Sequence, residues 1–459
     1  MARRAILASC ILLALLSMSA VVPAANAARS REAVTLTMLW RTSPTEVPAL
    51  RRVFAAFHAQ NPNIMINPII VTQDQYEPKL SSLIAANTAP DLFSSVGASG
   101  FVDYAIRGLG LNQEPFIKAD HYDLSDFYPA AIKALQWKGQ QLALPLGGGP
   151  SLMFYNVNAL KKAGLTAPPT DWNDKTWTWA KMLEYAKKLT LDNKGRNANA
   201  PNFDYKHTVQ WGINPGLWPV NSYAWLWGCD WFTIQTGLPT KSTFNNSCVV
   251  NSLQNVADLS VKYHVAPNQL QQQQFKLFND PFSSGKIAMG MTGIWFMENN
   301  TVGIKNRFPW AVSTLPMGAM RKDVLFTDPL MISKSSKHPR EAWAFVKYLT
   351  GKSGQQNFMN GYVGISLRQS LLSTLDIKSP SPSVQSKEAV HQAVLGAFAH
   401  AQESSNHNIA QWAAIGNLTD AELGPLWAGK KTAAQVAQVI QPKLDTLLQQ
   451  NLTRFGSGQ

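Results

Sequence analysis

Phe282-Ser-Ser-Gly285-Lys-Ile-Ala-Met289-Gly-Met-Thr-Gly293-Ile-Trp295 is the stretch on which the reading of this chain turns. Gly285 stops a helix, because glycine enters the left-handed region without a Cβ penalty. The run from Lys286 to Met291 reads as a buried strand, short, apolar and bounded by glycine. Gly293 then turns the chain and leaves Trp295 at the strand's C-terminal edge. An indole held there is a flat apolar platform, suited to stacking on the apolar face of a sugar ring.

Outward from this stretch, strand and helix alternate. Val34 to Trp40 reads as a first strand. A helix follows with Val47, Leu50, Phe54 and Phe57 on one stripe, and Asn61-Pro62 stops it. Ile64 to Val71 is a second strand, Tyr76 to Asn87 a helix, and Ala89-Pro90-Asp91-Leu92-Phe93 opens a third strand. Trp137 to Pro145 reads as a short hairpin feeding a crossing segment. Gly147-Gly148-Gly149-Pro150 interrupts it, and Leu152 to Asn156 resumes as a strand. Such alternation predicts a parallel α/β sheet. A length of 459 residues exceeds one small core and implies two domains. Hydrophobic content of 45% with 15% charged residues describes a folded chain with little disorder.

The N-terminus reads as a leader. Arg3 and Arg4 precede an apolar stretch from Ala5 to Val22, and Ala25-Asn26-Ala27 fits a small-x-small cleavage site. Residues 1–27 are therefore expected to leave, and the mature chain to be soluble in the periplasm or outside the cell. No later segment has the uninterrupted apolar length of a membrane span. Cys10 lies inside the apolar stretch and too early to carry a lipid anchor. Cys229 and Cys248 then form an even pair in an oxidising compartment, which predicts a disulfide contributing roughly 3 kcal/mol. The formal charge of +13 falls by two, to +11, when Arg3 and Arg4 depart. The basic residues are scattered, without the clustered patch that nucleic acid requires.

Catalytic signatures are missing from the sequence. There is no HExxH, GxSxG or GxxxxGK[ST], and the glycines at 147–149 lack the Lys-Ser/Thr of a phosphate loop. No metal or cofactor is implied. The enzyme-class alternative is a secreted glycoside hydrolase or lyase using two carboxylates from distant parts of the chain. A secreted lectin-like module would need a β-rich pattern, which this chain lacks.

Ordered phrases across the mature chain resemble the extracellular solute-binding proteins of bacterial carbohydrate ABC transporters, the maltose-binding-protein-like group known as family 1. They are the Leu39-Trp40 strand end, Ala89-Pro90-Asp91-Leu92, and Leu144-Pro145 followed by Phe154-Tyr155-Asn156. Lys162-Ala-Gly164-Leu165 with Pro168-Pro169 and Trp177 follows, then Phe282-x-x-Gly285-Lys286-x-Ala288-Met289, Leu315-Pro316 and Ile332-Ser333-Lys334. The resemblance implies a two-lobed periplasmic-binding-protein-like fold of type II, each lobe a mixed sheet flanked by helices. Lobe 1 would hold residues 34–145 plus 327–372, and lobe 2 residues 146–326 plus 373–455, with crossing strands near Leu144-Pro145-Leu146 and Leu325 to Leu330. It also implies a monomer that captures a carbohydrate between the lobes and hands it to a membrane permease. A polyol or sugar-phosphate anion on the same scaffold is the ligand alternative.

The resemblance places Trp295 at a sugar-stacking position. Trp40, Arg41, Ser43 and Glu46 fall where the first strand opens into the cleft. Gly149 stands about where maltose-binding members carry a carboxylate, and Ser95 and Ala98 stand where they carry a tryptophan and an aspartate, departures that speak against a maltodextrin preference but not against the scaffold. Trp225 and Trp227 fall where members place an aromatic wall. Asp328, before Pro329, is either a hydroxyl acceptor or a turn-stabilising side chain. Arg368 reaches either the cleft or a neighbouring carboxylate. The glycines at 147–149 suit a backbone passing close to ligand. Trp179, Trp310 and Trp343 lie on core patterns, and Asp91 is expected to tie down a loop.

Overall fold

The first strand, β1 (Val34–Arg41), shows why two-sided apolar runs become interior strands. Leu36, Met38 and Trp40 enter one apolar core while Leu39 enters another, so both faces are covered. The computed structural model describes residues 33–42, 47–94, 100–233, 237–268, 270–271, 281–359, 365–374 and 380–456. The remaining strands are β2 (Ile64–Val71), β3 (Leu92–Phe93), β4 (Gln136–Trp137), β5 (Gln140–Gln141), β6 (Ala143–Gly149) and β7 (Ser151–Asn156). After them come β8 (Leu191–Asp192), β9 (Thr208–Gln210), β10 (Asn214–Pro215), β11 (Met289–Gly293), β12 (Trp310–Ser313), β13 (Asp323–Ile332) and β14 (Ala401–Glu403).

Two larger sheets result. One has the order β14-β13-β3-β1-β2, with β6 paired to β13, and the other has the order β10-β11-β7-β12. Both are mixed and flanked by helices. β1 runs parallel to β2 and β3, but β13 runs antiparallel to β3 and β6. The parallel pairing of β1, β2 and β3 is the one the alternation predicts, and the sheet is mixed, as the resemblance implies, because β13 returns from the second sheet rather than through a helical crossover.

Each sheet has its own packing. Helix Val47–Gln60 and helix Pro339–Thr350 bury Leu50, Phe54, Phe57, Phe345 and Leu349 against the Leu36 face of β1. Asp91 secures β3 to β1 as expected: its Oδ2 accepts from the Thr37 amide at 2.8 Å and hydroxyl at 2.9 Å. In the second sheet, Leu152, Phe154, Met289, Met291, Trp310 and Val312 pack with helices Trp179–Leu189 and Lys387–His400. A third core joins helix Ser247–Val261 to the C-terminal helices Trp412–Trp427 and Ala433–Phe455. The Cys229–Cys248 disulfide ties the first turn of that helix to the segment after Trp227.

The hairpin expected near Trp137 is present, turning on Lys138 (φ 49°) and Gly139 (φ 74°) between β4 and β5. In the Phe282–Trp295 stretch, Gly285 (φ 78°) closes a 3₁₀ turn, Pro281–Ser284. The strand itself starts later than Lys286. Lys286 and Ala288 pair with Trp211, at 2.8 and 2.9 Å, so the ladder with β7 begins only at Met289.

The chain passes between sheets where β6 leads through Pro150 into β7 and where β13 follows β12. Opposite β13, Gly149, Gly148 and Gly147 face Phe326, Thr327 and Asp328, and the register shifts between Asp328 and Pro329. A Cβ on Gly148 would lie 1.8 Å from the Phe326 carbonyl oxygen, and one on Gly149 would lie 2.4 Å from Ile294 Cγ2. These glycines allow close approach of protein to protein, not the approach to ligand that the sequence suggests. Asp323, buried at the start of β13, accepts from the Ser151 amide (3.0 Å to Oδ2) and fixes β7 beside it.

Candidate functional site

The turn after β11 builds the most distinctive surface. With no side chain on Gly293, the Trp295 ring folds back over it; a Cβ there would lie 2.1 Å from the ring. Trp295 remains 42% exposed and meets Phe326 of β13 edge-on, with centroids 4.9 Å apart and planes at 86°. Trp218, also 42% exposed, lies nearly parallel to the same Phe326 at 5.4 Å and 16°. Trp225 and Val324 back Phe326 from the protein side, and the Trp225 indole N–H donates to Asp230 Oδ2 at 2.7 Å. Two open indoles thus share one phenyl on the crossing strand. Large apolar faces left in water side by side mark a recognition surface.

A polar end continues along β13. Phe326 and Asp328 are two residues apart and lie on one strand face. The Asp328 carboxyl is half-buried and has no hydrogen bond among the described residues. Burial raises its pKa, and Arg41, exposed at the end of β1, opposes that rise. Between them Thr327 donates its hydroxyl to Glu403 Oε2 on β14 at 2.6 Å. Glu403 is buried, and burial lifts its pKa to about 8.

The expected site residues therefore divide. Trp295, Arg41 and Asp328 stand on or beside this surface. Trp225 supports it from within. Gly149 is buried against Ile294, the neighbour of Trp295. Trp40 is 5% exposed, edge-on to both Phe54 (6.0 Å) and Phe358 (5.9 Å) in the first core, so its faces are enclosed. Trp227 is half-buried, edge-on to Trp179 at 5.1 Å and beneath Gly318. Arg368, 4% exposed, donates to the Thr350 carbonyl (2.7 Å), Asp126 Oδ2 (3.2 Å) and the Tyr122 hydroxyl (2.8 Å), and covers the Phe127 ring. Its reach is to a neighbouring carboxylate and not to a cleft. Ser43, Glu46 and Ser95 lie outside the described residues. Trp218 and Phe326 were not singled out by sequence; a tryptophan before proline in a loop was the only faint signal for Trp218.

Among the described residues no group of three His, Cys, Asp or Glu is placed to hold a metal ion, and no helix is long and apolar enough to cross a membrane. The arrangement offers stacking and hydrogen bonding.

Comparison with known proteins follows the same lines. The sequence profile of bacterial extracellular solute-binding proteins matches residues 42–356. A binding protein of Brucella abortus is 23% identical over 450 residues, covering 95% of this chain and 97% of its own length. A mannitol-binding protein of Pseudomonas aeruginosa is 25% identical over 186 residues, 40% of this chain and 39% of its own. Among solved structures, an ABC substrate-binding protein of Listeria monocytogenes in complex with cycloalternan has a TM-score of 0.76 at 22% identity. That likeness covers 91% of this chain and 99% of the Listeria chain.

Proposed function

The chain belongs to the bacterial extracellular solute-binding protein family, and on that premise we propose that it captures a carbohydrate and delivers it to an ABC transporter permease. As a solute-binding protein it holds its ligand without transforming it. The observation that carries the carbohydrate reading is the Trp295–Phe326–Trp218 group on the crossing strand. A sugar ring would lie against the open indoles, and its hydroxyls would meet Asp328 and Arg41. Binding of this kind needs planar contacts, hydrogen bonds and exclusion of water, and no nucleophile.

Residues 34–145 plus 327–372 would move as one lobe and residues 146–326 plus 373–455 as the other. Ligand touching both would favour the closed arrangement by its differential affinity for it. The lobes' outer surfaces would then meet the permease, with the protein acting as an exported monomer freed of residues 1–27. The similarity to a mannitol-binding protein over part of the chain supports a polyhydroxylated ligand.

A thermal-shift screen against sugars, polyols and sugar phosphates tests this, because a ligand bound only by the folded state raises the melting temperature. The expected result is stabilisation by a carbohydrate that is recovered intact. Recovery of a hydrolysed product would favour the glycoside hydrolase alternative.

A further inference from the structure

One carboxylate stands behind the aromatic group. Asp230 Oδ2 accepts from the Trp225 indole N–H at 2.7 Å, and Oδ1 accepts from the Trp231 amide at 2.6 Å. Burial raises the Asp230 pKa, and these donors, joined by the Asn221 side chain and the Phe232 amide, oppose that rise. An ionised carboxylate is an acceptor only, with room for about four hydrogen bonds. Protein groups fill that room and leave nothing for a ligand. We propose that Asp230 is a positioning residue: it holds Trp225 and the Trp218 loop in place, so that Phe326 presents both open indoles to a sugar ring.

Two lines run from Asp230 to Phe326. The first is Trp225. Its ring packs with Val324 and Phe326 from the protein side, and the bond from its N–H to Asp230 fixes how the ring is turned. The second is Asn221, fully buried. Its Nδ2 also donates to Ser405 Oγ at 2.7 Å, next to Ser404, whose amide donates to the Leu325 carbonyl of β13 at 2.8 Å. Asn221 follows Trp218 and Pro219 in one loop and starts the short helix Ser222–Trp225. There the Ser222 amide donates to the Pro219 carbonyl and the Ala224 amide to the Asn221 carbonyl, both at 2.9 Å. The segment carrying Trp218 is thus tied to the strand carrying Phe326, on which the Trp218 ring lies nearly parallel. Trp295 meets the same phenyl edge-on, so a turn of Phe326 moves both indoles.

Asp230 is itself held from the far side. Its carbonyl accepts from the Thr243 hydroxyl at 2.6 Å. Trp231, the next residue, is buried in the third core with its ring 4.7 Å from that of Phe244. Cys229, the residue before, is bonded to Cys248 in the first turn of helix Ser247–Val261. The carboxylate therefore passes the rigidity of that core to the recognition surface. A binding face fixed before ligand arrives loses less freedom on binding. Removing the carboxylate leaves buried donors unpaired, and they regain partners only if Trp225 or Asn221 moves.

What the surface binds rests on the carbohydrate reading, and the experiment separates the two. Indole N–H resonances of isotope-labelled tryptophans are recorded, without ligand, for the wild type, Asp230→Ala, Asp230→Asn and Trp225→Phe. Trp218→Phe, Trp295→Phe and Trp343→Phe assign the signals. In Asp230→Ala the Trp218 and Trp295 signals should move while that of Trp343, in the first core, stays. Asp230→Asn keeps one acceptor oxygen and should move them less. Trp225→Phe leaves a ring beneath Phe326 and should also move both signals, which keeps the test open where Asp230→Ala folds poorly. Calorimetry then uses whichever of mannitol, maltose and the other sugars and polyols of the thermal-shift panel stabilises the wild type. Affinity should fall about tenfold in Asp230→Ala and less in Asp230→Asn. Adding Asp230→Ala to Trp225→Phe should cost less than it does in the wild type, because the two share one hydrogen bond. Unmoved Trp218 and Trp295 signals overturn the proposal, as do unchanged affinity, additive losses, or a Trp343 shift as large as theirs in both variants. If no sugar or polyol stabilises the wild type while the two signals move as stated, the positioning role is upheld and the carbohydrate reading is the one that fails.

Discussion

Trp40 and Trp295 follow the same local grammar, each an indole at the C-terminal end of an apolar strand, yet they end in opposite environments. Trp40 closes β1 and is enclosed by Phe54 from one helix and Phe358 from another. Trp295 leaves β11 over a glycine, where the ring meets Phe326 edge-on and Phe296 at a tilt and stays 42% exposed. A strand-end tryptophan is therefore not itself a binding signal. What distant segments lay across it decides whether it becomes core or surface.

Mutations can break or sharpen that contrast. Trp40→Ala should cost the most, about 3–5 kcal/mol of stability measured by urea unfolding, because a large side chain leaves a closed core. A loss below about 1 kcal/mol would mean the ring is not enclosed. Arg368→Met should cost about 3 kcal/mol, since the Asp126 carboxylate and the Thr350 carbonyl lose their buried partner. In calorimetry, the refolded variant should keep its affinity for any sugar found in the screen; a selective loss of affinity would return Arg368 to the site. Trp295→Ala should weaken that affinity at least tenfold, about 1.4 kcal/mol, with unfolding almost unchanged. Equal affinities in the two proteins would remove Trp295 from the site. Gly293→Ala should do least. The new methyl pushes the indole off its seat, shifting tryptophan fluorescence and lowering affinity a few-fold, and an unshifted spectrum would contradict the packing described.

The parts of the fold visible in the sequence are those set by neighbours along the chain. The Leu50–Phe54–Phe57 stripe, the β1 and β2 runs and the Trp137 hairpin form where local periodicity and turn chemistry place them. Gly285 stops its segment as glycine should. β11 starts later than local pattern predicts because Trp211, far away in sequence, pairs with Lys286 and Ala288. The site was legible only in part. Trp295 stands out through its flanking glycines. Phe326 looks like any apolar residue of an interior strand, and Trp218 sits in a loop without periodicity. They meet only because β13 returns between the sheets. The buried Glu403 carries no local mark either; its setting comes from Thr327, on a strand joined to it late in the chain.

That late joining bears on how the protein is made. Phe93 of β3 pairs with Met331 of β13, and β13 in turn accepts β14 as its outer neighbour. The N-terminal sheet thus waits for strands supplied by the final third of the polypeptide. Distant partners assemble slowly, since loop closure precedes any gain from contact. Until residues 323–332 are made, β3 lacks its β13 partner, so the opening sheet is completed only late in synthesis.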